Sequence, residues 1–581
     1  MCGFFGVIEN ISNCYSLETK LQMSKRISHR GPDAFEYVNE AFGNNNIFFS
    51  HFRLAIQGLG ESGNQPWLHD NLIILFNGEI YNYQELRADL IKDDIIFSTN
   101  CDTELIPWLF LKYSHDFVTK INGIFSIVIF DKYSNELTFY RDFFGVKPMY
   151  YLISEDKIFF SSELNSFKDL NLPMNLEAVY SFFLFSYNIL DESFFSNIVQ
   201  LKRSSYLNIS FKDHDSYLIK NVNWTPQLNY KNSLDYKDLF SQSIRSQLIS
   251  DVPIAISLSG GFDSSIILNY VTKNLTNVKA YTVDFGFNSE DVNNSKIVSK
   301  FFNVDLEVID ARISNIDYFE LLNKIYENLS EPIADSGYIG TYLVSEAARK
   351  NGFRVVLSGA GGDEIFGGYT RYVQYQQKSI YYYLNYLSNY FPKKIVNLKL
   401  QDPFFHLLTN TSGCYNDIKS LGLNISKLNP LKNNNFTSYP STIDMMDFDL
   451  NNYLVNDILK ITDLASMRNG VEFRVPFLDY QLYRNVRDTF REQDYIYQNQ
   501  TKVKLKFDYI ENLPSSLYKM KKTGFGAPID YIIESCRDKL EEYLNKREAI
   551  IKDVFVIGDL SKLSNNFLFH LFIYVKWKES F

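Results

Sequence analysis

The sequence has few cysteines, no excess of basic residues and no long apolar run. Its five cysteines form no C-x-x-C pair, so neither a disulfide framework nor a zinc site is expected. Its net charge of −10 argues against nucleic-acid or membrane-surface binding, which would need a basic face. No apolar run approaches the roughly 18 residues of a membrane span, and no positive segment precedes a longer apolar stretch near the N-terminus. These absences favour small-molecule chemistry in the reducing cytoplasm.

The length of the chain and its changing pattern predict more than one domain. At 581 residues the chain is too long for one compact core, so two or three domains are expected. The first part alternates short apolar strands with turns, whereas strands and helices alternate after about residue 225, which favours a parallel sheet there. We therefore expect a first domain over 2–210 and a second over 225–581.

The chain opens with MCGFFGVIEN, in which Cys2 precedes a glycine. A small residue at position 2 permits removal of the initiator Met, which would leave a free α-amino group beside the thiol. That amine could act as a base for the thiol, so Cys2 is a candidate nucleophile. This stretch alone also allows Cys2 to be an ordinary cysteine at a frayed terminus.

Turn-rich segments with polar side chains follow within the next hundred residues. The apolar run LIILF leads into NGEIYNYQELRADL, where Asn77-Gly78 predicts a tight turn whose amide and backbone N–H groups could form an oxyanion hole. Arg53 precedes another turn cluster, and Asp102 lies at an apparent helix start. Taken singly, such residues are more often turn formers or helix caps than catalytic groups.

Taken together, these segments are similar to one family. MCGFFGVI, HRGPD, RLAIQ, FNGEIYNYQELR, CDTEL and RDFFGVKPMYY resemble, in order and spacing, the N-terminal-nucleophile glutaminase domain of class II amidotransferases. The resemblance implies an α+β fold, an αββα sandwich of antiparallel sheets. It also implies that Cys2 attacks the side-chain amide of glutamine to form a thioester and release ammonia, with Asn77 and Gly78 stabilising the oxyanion.

The same resemblance implies three residues that bind glutamine. Arg53 would hold its carboxylate, while Glu79 and Asp102 would bind its α-amino group. The residue types suit these roles, because a guanidinium pairs with a carboxylate and acids pair with an ammonium.

The second part of the chain contains a Ser/Gly loop between a predicted strand and a predicted helix. The stretch PIAISLSGGFDSSIILNYVTKNL (253–275) aims backbone N–H groups and a helix N-terminus at the loop, which makes it a candidate anion site without the Walker spacing. SGGFDSS resembles the PP-loop of ATP pyrophosphatases, which cleave ATP between the α and β phosphates. The resemblance implies an α/β parallel-sheet fold and an ATP site. The implied ATP-binding residues are Leu258, Ser259, Gly260, Gly261, Asp263, Ser264, Ser265, Val283, Ser358 and Gly359.

A second Gly-rich loop, SGAGGDEIFGGY (358–369), follows another predicted strand, where ligands of open α/β sheets collect. This loop and EFRVPFLD resemble the asparagine synthetase family. The resemblance implies that Asp263 and Asp363 bind Mg²⁺, a hard cation that needs few protein carboxylates when phosphates complete its shell. In KMKKTGFGAPI, Lys522 takes the position at which the family's lysine stabilises the adenylated intermediate.

The two halves together predict glutamine-dependent synthesis of asparagine. Hydroxide is a poor leaving group, so ATP would convert the aspartate side chain to an acyl adenylate, and glutamine-derived ammonia would displace AMP. The family resemblance implies an internal tunnel that carries ammonia between the two sites. The predicted partners are therefore the small molecules glutamine, aspartate and ATP, with no nucleic acid and no membrane; homodimer formation is left open.

One departure from the family keeps a second hypothesis open. Ala360 stands where the family commonly has an acidic residue near the acceptor. The acceptor could therefore be another carboxylate, such as a sugar acid in surface-polysaccharide synthesis. A silent scaffold is the third hypothesis, and the presence of Cys2, Asp363 and Lys522 argues against it.

Overall fold

The computed structural model describes residues 2–212, 216–228, 234–286, 289–375, 412–421, 441–519 and 526–581. Within these ranges, two antiparallel sheets precede one parallel sheet along the chain. This order confirms the predicted α+β sandwich followed by an α/β region. Among the described residues, no helix combines the length and apolarity that crossing a membrane requires.

The first half of the chain alternates strands with a few helices. Its strands are β1 (Gly3–Asn10), β2 (Ala34–Phe42), β3 (Asn45–Arg53), β4 (Trp67–His69), β5 (Leu72–Ile80), β6 (Gly123–Asp131), β7 (Glu136–Arg141), β8 (Tyr150–Ile153), β9 (Lys157–Ser161), β10 (Val199–Gln200), β11 (Ser205–Lys212) and β12 (Ser216–Asn223). Its helices are α1 (Leu17–Lys25), α2 (Tyr83–Ile91), α3 (Leu105–Tyr113) and α4 (Leu176–Phe185). The two sheets have the orders β10-β8-β9-β1-β3-β2 and β12-β11-β7-β6-β5-β4. Because β12 pairs with β11, the second sheet continues past residue 210; the domain limits 2–210 and 225–581 stay predictions.

The alternation of side chains along β1 explains the layered packing. Phe4 and Ile8 point into the apolar layer between the two sheets, whereas Phe5 and Val7 point to the outer face, where Met23 of α1 joins the same core. Successive strand residues face opposite sides of a sheet, so a strand covered on both faces must be apolar almost throughout. The sequence GFFGVI satisfies that demand and leaves Cys2 at the start of a buried strand.

The predicted turn at Asn77-Gly78 is wrong, because both residues lie inside β5. Asn77 pairs with Ser126 and Gly78 with Phe125 on the neighbouring strand β6. Glycine inside a strand often marks a close backbone approach, and a Cβ at Gly78 would lie 2.0 Å from the Ile124 carbonyl oxygen. Strand pairing has therefore overridden the local turn preference of Asn-Gly.

The second half is built on a parallel sheet with helices around it. Its strands are β13 (Ile254–Ser257), β14 (Lys279–Asp284), β15 (Asp305–Asp310), β16 (Val355–Leu357) and β17 (Glu472–Arg474), in the order β15-β14-β13-β16-β17. β18 (Ile496–Tyr497) and β19 (Gln500–Thr501) form a separate hairpin. Because β13 and β16 are parallel neighbours, the two Gly-rich loops that follow them emerge side by side at one edge of the sheet.

The helices of this half pack around the parallel sheet, and the last of them lies at the C-terminal end of the chain. They are α5 (Tyr236–Gln247), α6 (Phe262–Asn274), α7 (Ser289–Phe302), α8 (Tyr318–Ile325), α9 (Gly337–Lys350), α10 (Gly362–Phe366), α11 (Tyr415–Ser420), α12 (Thr442–Asn451), α13 (Tyr480–Thr489), α14 (Glu492–Tyr495), α15 (Val503–Asp508), α16 (Ile529–Asn545), α17 (Glu548–Lys552) and α18 (Asn565–Glu579). The predicted helical stretch NDILKITDLASM overlaps one π-helical segment, Leu454–Ile458, and contains a second, Ile461–Ala465. Such segments are frequent at functional sites.

Candidate functional site

Cys2 lies buried between the two halves of the molecule, with 8% of its surface exposed. Its backbone nitrogen donates a hydrogen bond to Asn77 Oδ1 at 3.0 Å, and its carbonyl oxygen accepts one from Arg30 Nε at 3.1 Å. Burial raises the pKa of the thiol, while the Leu54 N–H and the Arg53 guanidinium oppose that rise. The backbone of Cys2 is therefore held in place, and its thiol would need a base to become a thiolate.

The side chain of Asn77 holds the Cys2 backbone through its oxygen and leaves its nitrogen as a donor for a ligand. Its side-chain oxygen fixes the nitrogen of Cys2, while its buried Nδ2 has no hydrogen-bond partner within the described part of the chain. A buried donor left without a partner costs about 1 to 3 kcal/mol, so such a group commonly awaits a ligand oxygen. The amide therefore offers the donor that an oxyanion hole requires.

Arg53 ends β3 and already has partners in its own loop. Its guanidinium donates to the Gly60 carbonyl at 2.6 Å, to Asn64 Oδ1 at 3.0 Å and to the Gln57 carbonyl at 3.2 Å. A Cβ at Gly63 would lie 2.2 Å from Arg53 Nη2, so the glycine leaves room for the guanidinium. A glutamine carboxylate would have to share this cation with loop oxygens, and the role of Arg53 stays a prediction.

Glu79 and Asp102 are the buried acids of the site. Glu79 Oε2 accepts from Gln57 Nε2, and Asp102 Oδ2 accepts from the Ile80 N–H at 3.0 Å. Burial raises the pKa of Glu79 to about 8 and that of Asp102 to about 6. An ammonium ion placed between them would favour the ionised forms.

Two arginines outside the predicted set of site residues connect the two halves. Arg30, from HRGPD, binds Asp463 through two nitrogens at 2.7 and 3.0 Å while it holds the Cys2 carbonyl. Arg474 pairs with its neighbour Glu472 at 2.5 Å. Arg30 and Asp463 lie 433 positions apart in the chain, so the only sequence signal for Arg30 was its place in a family motif. Glu472, in contrast, lies two positions from Arg474.

The Ser/Gly loop after β13 has the predicted strand–loop–helix form. Ser265 Oγ donates to the Gly261 carbonyl at 2.7 Å, and the Gly261 N–H donates to Ser259 Oγ at 3.3 Å. Gly260 has a φ of +73°, and a Cβ there would lie 2.2 Å from the Asp291 carbonyl oxygen, so only glycine suits this position. The loop is thereby shaped at the N-terminus of α6, where an anion would meet the helix dipole.

The second Gly-rich loop lies against the first. A Cβ at Gly359 would lie 3.1 Å from the Cβ of Asp263, and the Ser358 N–H donates to the Arg474 carbonyl at 2.9 Å. Leu258 and Val283 are buried at the ends of the adjacent strands. The structure thus gathers the predicted residues of both loops at one edge of the sheet: Leu258, Ser259, Gly260, Gly261, Asp263, Ser264, Ser265, Val283, Ser358, Gly359 and Asp363.

Asp263 and Asp363, the predicted metal ligands, share one protein cation. Lys502 Nζ lies 2.5 Å from Asp263 Oδ1 and 2.7 Å from Asp363 Oδ1. The described residues hold no cluster of three or more His, Cys, Asp or Glu side chains suited to a metal ion. A pair of carboxylates already converging on one cation fits Mg²⁺ that takes its remaining ligands from phosphate and water.

The sequence analysis missed Lys502, because TKVKLKF reads as a run of solvated lysines. Lys522 lies outside the described residues. Ala360 lies in the second loop, where its N–H donates to Ser358 Oγ at 3.3 Å. The acid nearest to Ala360 in sequence is Asp363, which pairs with Lys502. The next acid, Glu364, accepts a hydrogen bond from the Tyr369 hydroxyl at 2.6 Å.

Comparisons with known proteins agree with this geometry. Family models match a glutamine amidotransferase domain over residues 1–218 and an asparagine synthase over residues 235–564. Asparagine synthetase (glutamine-hydrolyzing) 1 of Bacillus subtilis is 27% identical over 573 residues, which cover 92% of this chain and 88% of that protein. Asparagine synthetase (glutamine-hydrolyzing) 2 of the same organism is 29% identical over 404 residues, 64% of this chain and 52% of that protein.

A relative with another name also matches. Amidase chry2 of Gibberella zeae is 27% identical over 395 residues, which cover 61% of this chain and 55% of that protein. The asparagine synthase model nevertheless matches more than half of the 581 residues. The chain therefore belongs to the asparagine synthase family.

Proposed function

We propose that this protein makes asparagine from aspartate, with glutamine as nitrogen donor and ATP as activating substrate. One observation carries the proposal: the buried site around Cys2 is connected inside the protein to the two Gly-rich loops that hold Asp263 and Asp363. Arg474 joins them, since its Nη2 lies 3.4 Å from Glu79 Oε2 while its carbonyl oxygen accepts a hydrogen bond from the Ser358 N–H at 2.9 Å.

In the first half-reaction, Cys2 would attack the side-chain amide carbon of glutamine. Its own α-amine, freed by removal of Met1, would take the thiol proton, and the Asn77 Nδ2 would donate to the oxyanion together with the Gly78 backbone. Ammonia would leave as the thioester forms, and water would then release glutamate. Arg53 would hold the glutamine carboxylate, and Glu79 and Asp102 its α-ammonium.

In the second half-reaction, an aspartate oxygen would attack the α-phosphorus of ATP and pyrophosphate would leave. The loop residues Ser259, Gly260, Gly261, Ser264 and Ser265 would hold the pyrophosphate part. Mg²⁺ bound by Asp263 and Asp363 would neutralise phosphate charge. Ammonia would then attack the acyl carbon and displace AMP, with Lys522 stabilising the adenylated intermediate.

The names of the curated relatives and the asparagine synthase model favour aspartate as acceptor over a sugar acid. Ala360 contributes no carboxylate to this site, so another group must take the proton that the attacking ammonia loses. A magnesium requirement, a cytoplasmic location, the absence of a nucleic-acid partner and homodimer formation remain parts of the proposal, each open to direct measurement.

The deciding experiment identifies products by mass spectrometry after the full chain is incubated with Mg-ATP, glutamine and aspartate. We expect asparagine, glutamate, AMP and pyrophosphate, and no asparagine when any one substrate is omitted. Glutamate without asparagine or AMP would overturn the choice of acceptor while leaving the glutaminase half intact, and a screen of other carboxylates would follow.

A further inference from the structure

Arg474 extends from the synthetase sheet into the glutamine site. It is fully buried at the end of β17, where Nη1 donates to the Gln247 and Ile249 carbonyls at 2.7 and 2.6 Å. Nε pairs with Glu472 at 2.5 Å, and Nη2 lies 3.4 Å from Glu79 Oε2. A residue of the second half of the chain thus reaches a predicted glutamine-binding residue of the first.

The contact with Glu79 is loose while the other contacts of Arg474 are tight. Nη2 has no hydrogen-bond partner within the part of the chain that the structure describes, and 3.4 Å exceeds the usual N–H···O distance. A buried guanidinium nitrogen without a partner is costly. Catalytic and binding hydrogen bonds that are long in a free enzyme commonly shorten when substrate binds, so this nitrogen is placed to tighten onto Glu79.

The charges around Glu79 explain why it needs a cation. Burial, Glu472 and Asp102 all favour the neutral acid, whereas Arg474 favours the carboxylate. Gln57 donates to the same oxygen. A neutral carboxylic acid would hold an ammonium ion poorly, because it lacks the negative charge that the pairing requires.

We propose that Arg474 is a positioning residue that keeps Glu79 ionised and oriented toward the α-ammonium of glutamine. The synthetase half of the chain would thereby complete the glutamine site of the other half. This inference rests on the proposed function, since it assigns glutamine to the site around Cys2.

The first test replaces Arg474 by Lys in the full chain and follows glutamine hydrolysis from pH 6 to 9. The shorter ammonium should remain with Glu472 and leave Glu79 without its cation. We expect the KM for glutamine to rise about tenfold at neutral pH, and the pH dependence of kcat/KM to move upward by about one unit. The kcat at saturating glutamine and the ammonia-dependent synthesis should stay within about twofold.

The second test uses Glu472→Gln, which should shift the pH profile in the opposite direction. Removing that charge takes away a repulsion on Glu79 and frees the guanidinium to approach it. We expect the kcat/KM profile to move toward lower pH and the KM at neutral pH to fall. This variant keeps the inference testable even where Arg474→Lys folds poorly.

Two controls separate positioning from general loss of structure. Arg141→Lys replaces another buried arginine, which donates hydrogen bonds to the Lys147, Leu201 and Gly145 carbonyls. This variant should leave the KM for glutamine within about twofold of the unmodified protein. In a Glu79→Gln background, Arg474→Lys should add no further rise in KM, because the group it acts through is gone.

The outcomes are distinct. If the unmodified protein hydrolyses no glutamine, the proposed function fails together with this inference. If it does hydrolyse glutamine, but Arg474→Lys and Glu472→Gln leave its KM and pH profile unchanged, only the role of Arg474 is overturned.

Discussion

The two sites of this molecule obtain their charge balance in different ways. Around Cys2 the charged groups are neutralised by one another inside the protein: Glu79 faces Arg474, and Arg30 binds Asp463. At the edge of the parallel sheet, Asp263 and Asp363 share Lys502. The charge pairing of the first arrangement can persist when glutamine enters, whereas that of the second must change when ATP and the proposed Mg²⁺ bring their own charges.

The chemistry of the two substrates accounts for this difference. Glutamine is a zwitterion whose reacting amide is neutral, so its site can be fully formed beforehand, which lowers the cost of orientation. A nucleotide with Mg²⁺ carries phosphate charge and a hard cation together. Its site therefore needs carboxylates that a protein cation neutralises only until the ligands arrive, because two unpaired carboxylates at such close range repel each other strongly.

The largest expected effect comes from Cys2→Ala, which should abolish glutamine hydrolysis and leave asparagine synthesis from ammonia intact. Without the thiol no thioester can form, so glutamate release should stop while ammonia-dependent asparagine synthesis stays within about twofold. Cys14→Ala, at an exposed cysteine, is the matched control and should change neither. An equal loss of both activities in Cys2→Ala would mean that the two sites are not chemically separate.

Lys522→Ala should have the opposite effect on the two activities. Loss of the cation proposed to stabilise the adenylated intermediate should remove asparagine synthesis with either nitrogen source, while glutamine hydrolysis continues. Pyrophosphate release and glutamate release are measured in parallel, with Lys521→Ala as the control from the same lysine cluster. Intact synthesis in Lys522→Ala would refute the role given to this residue.

A smaller effect is expected from Asn77→Ala, which removes the side-chain donor of the oxyanion hole. Loss of one such donor costs about 10² to 10³ in kcat, and the Cys2 nitrogen would also lose its acceptor. Stopped assays of glutamate release should show this drop, with ammonia-dependent synthesis preserved. Asn208→Ala in the same pair of sheets, where the amide contacts Thr138, is the control; comparable losses in both variants would indicate a structural role only.

The sequence predicted best what is local in the chain. All groups of the Ser/Gly loop lie between Leu258 and Ser265, so strand, loop and helix could be read from one short stretch. The Asn77-Gly78 turn failed because a dipeptide preference is weak against pairing with a whole strand. Lys502 could not be found at all, since it meets Asp263 across 239 positions and nothing near it in sequence distinguishes it from its lysine neighbours.

Long-range charge pairs also set the property that is hardest to read from sequence, the ionisation of Glu79. The NGE motif identifies this glutamate. Its pKa is raised to about 8 by burial and by the nearby Glu472 and Asp102, and these three acids belong to separate stretches of the chain. The motif therefore predicts which residue binds the ammonium, and only the fold indicates at which pH it can do so.

The smallest predicted effect is the pH dependence that follows. In the proposed function the free enzyme binds the α-ammonium of glutamine through ionised Glu79, so kcat/KM for glutamine hydrolysis should rise as the pH increases through about 8, by about tenfold per unit below that value. The Asp102 pKa of about 6 should steepen the fall at lower pH. Glu79→Gln, assayed at high glutamine, should lose the step near 8, because an amide does not titrate. A flat profile from pH 6 to 9 in the unmodified protein would mean that glutamine binds without needing this carboxylate. The site around Cys2 would then resemble the site around Asp263 and Asp363, because both would depend on charges that the ligand supplies.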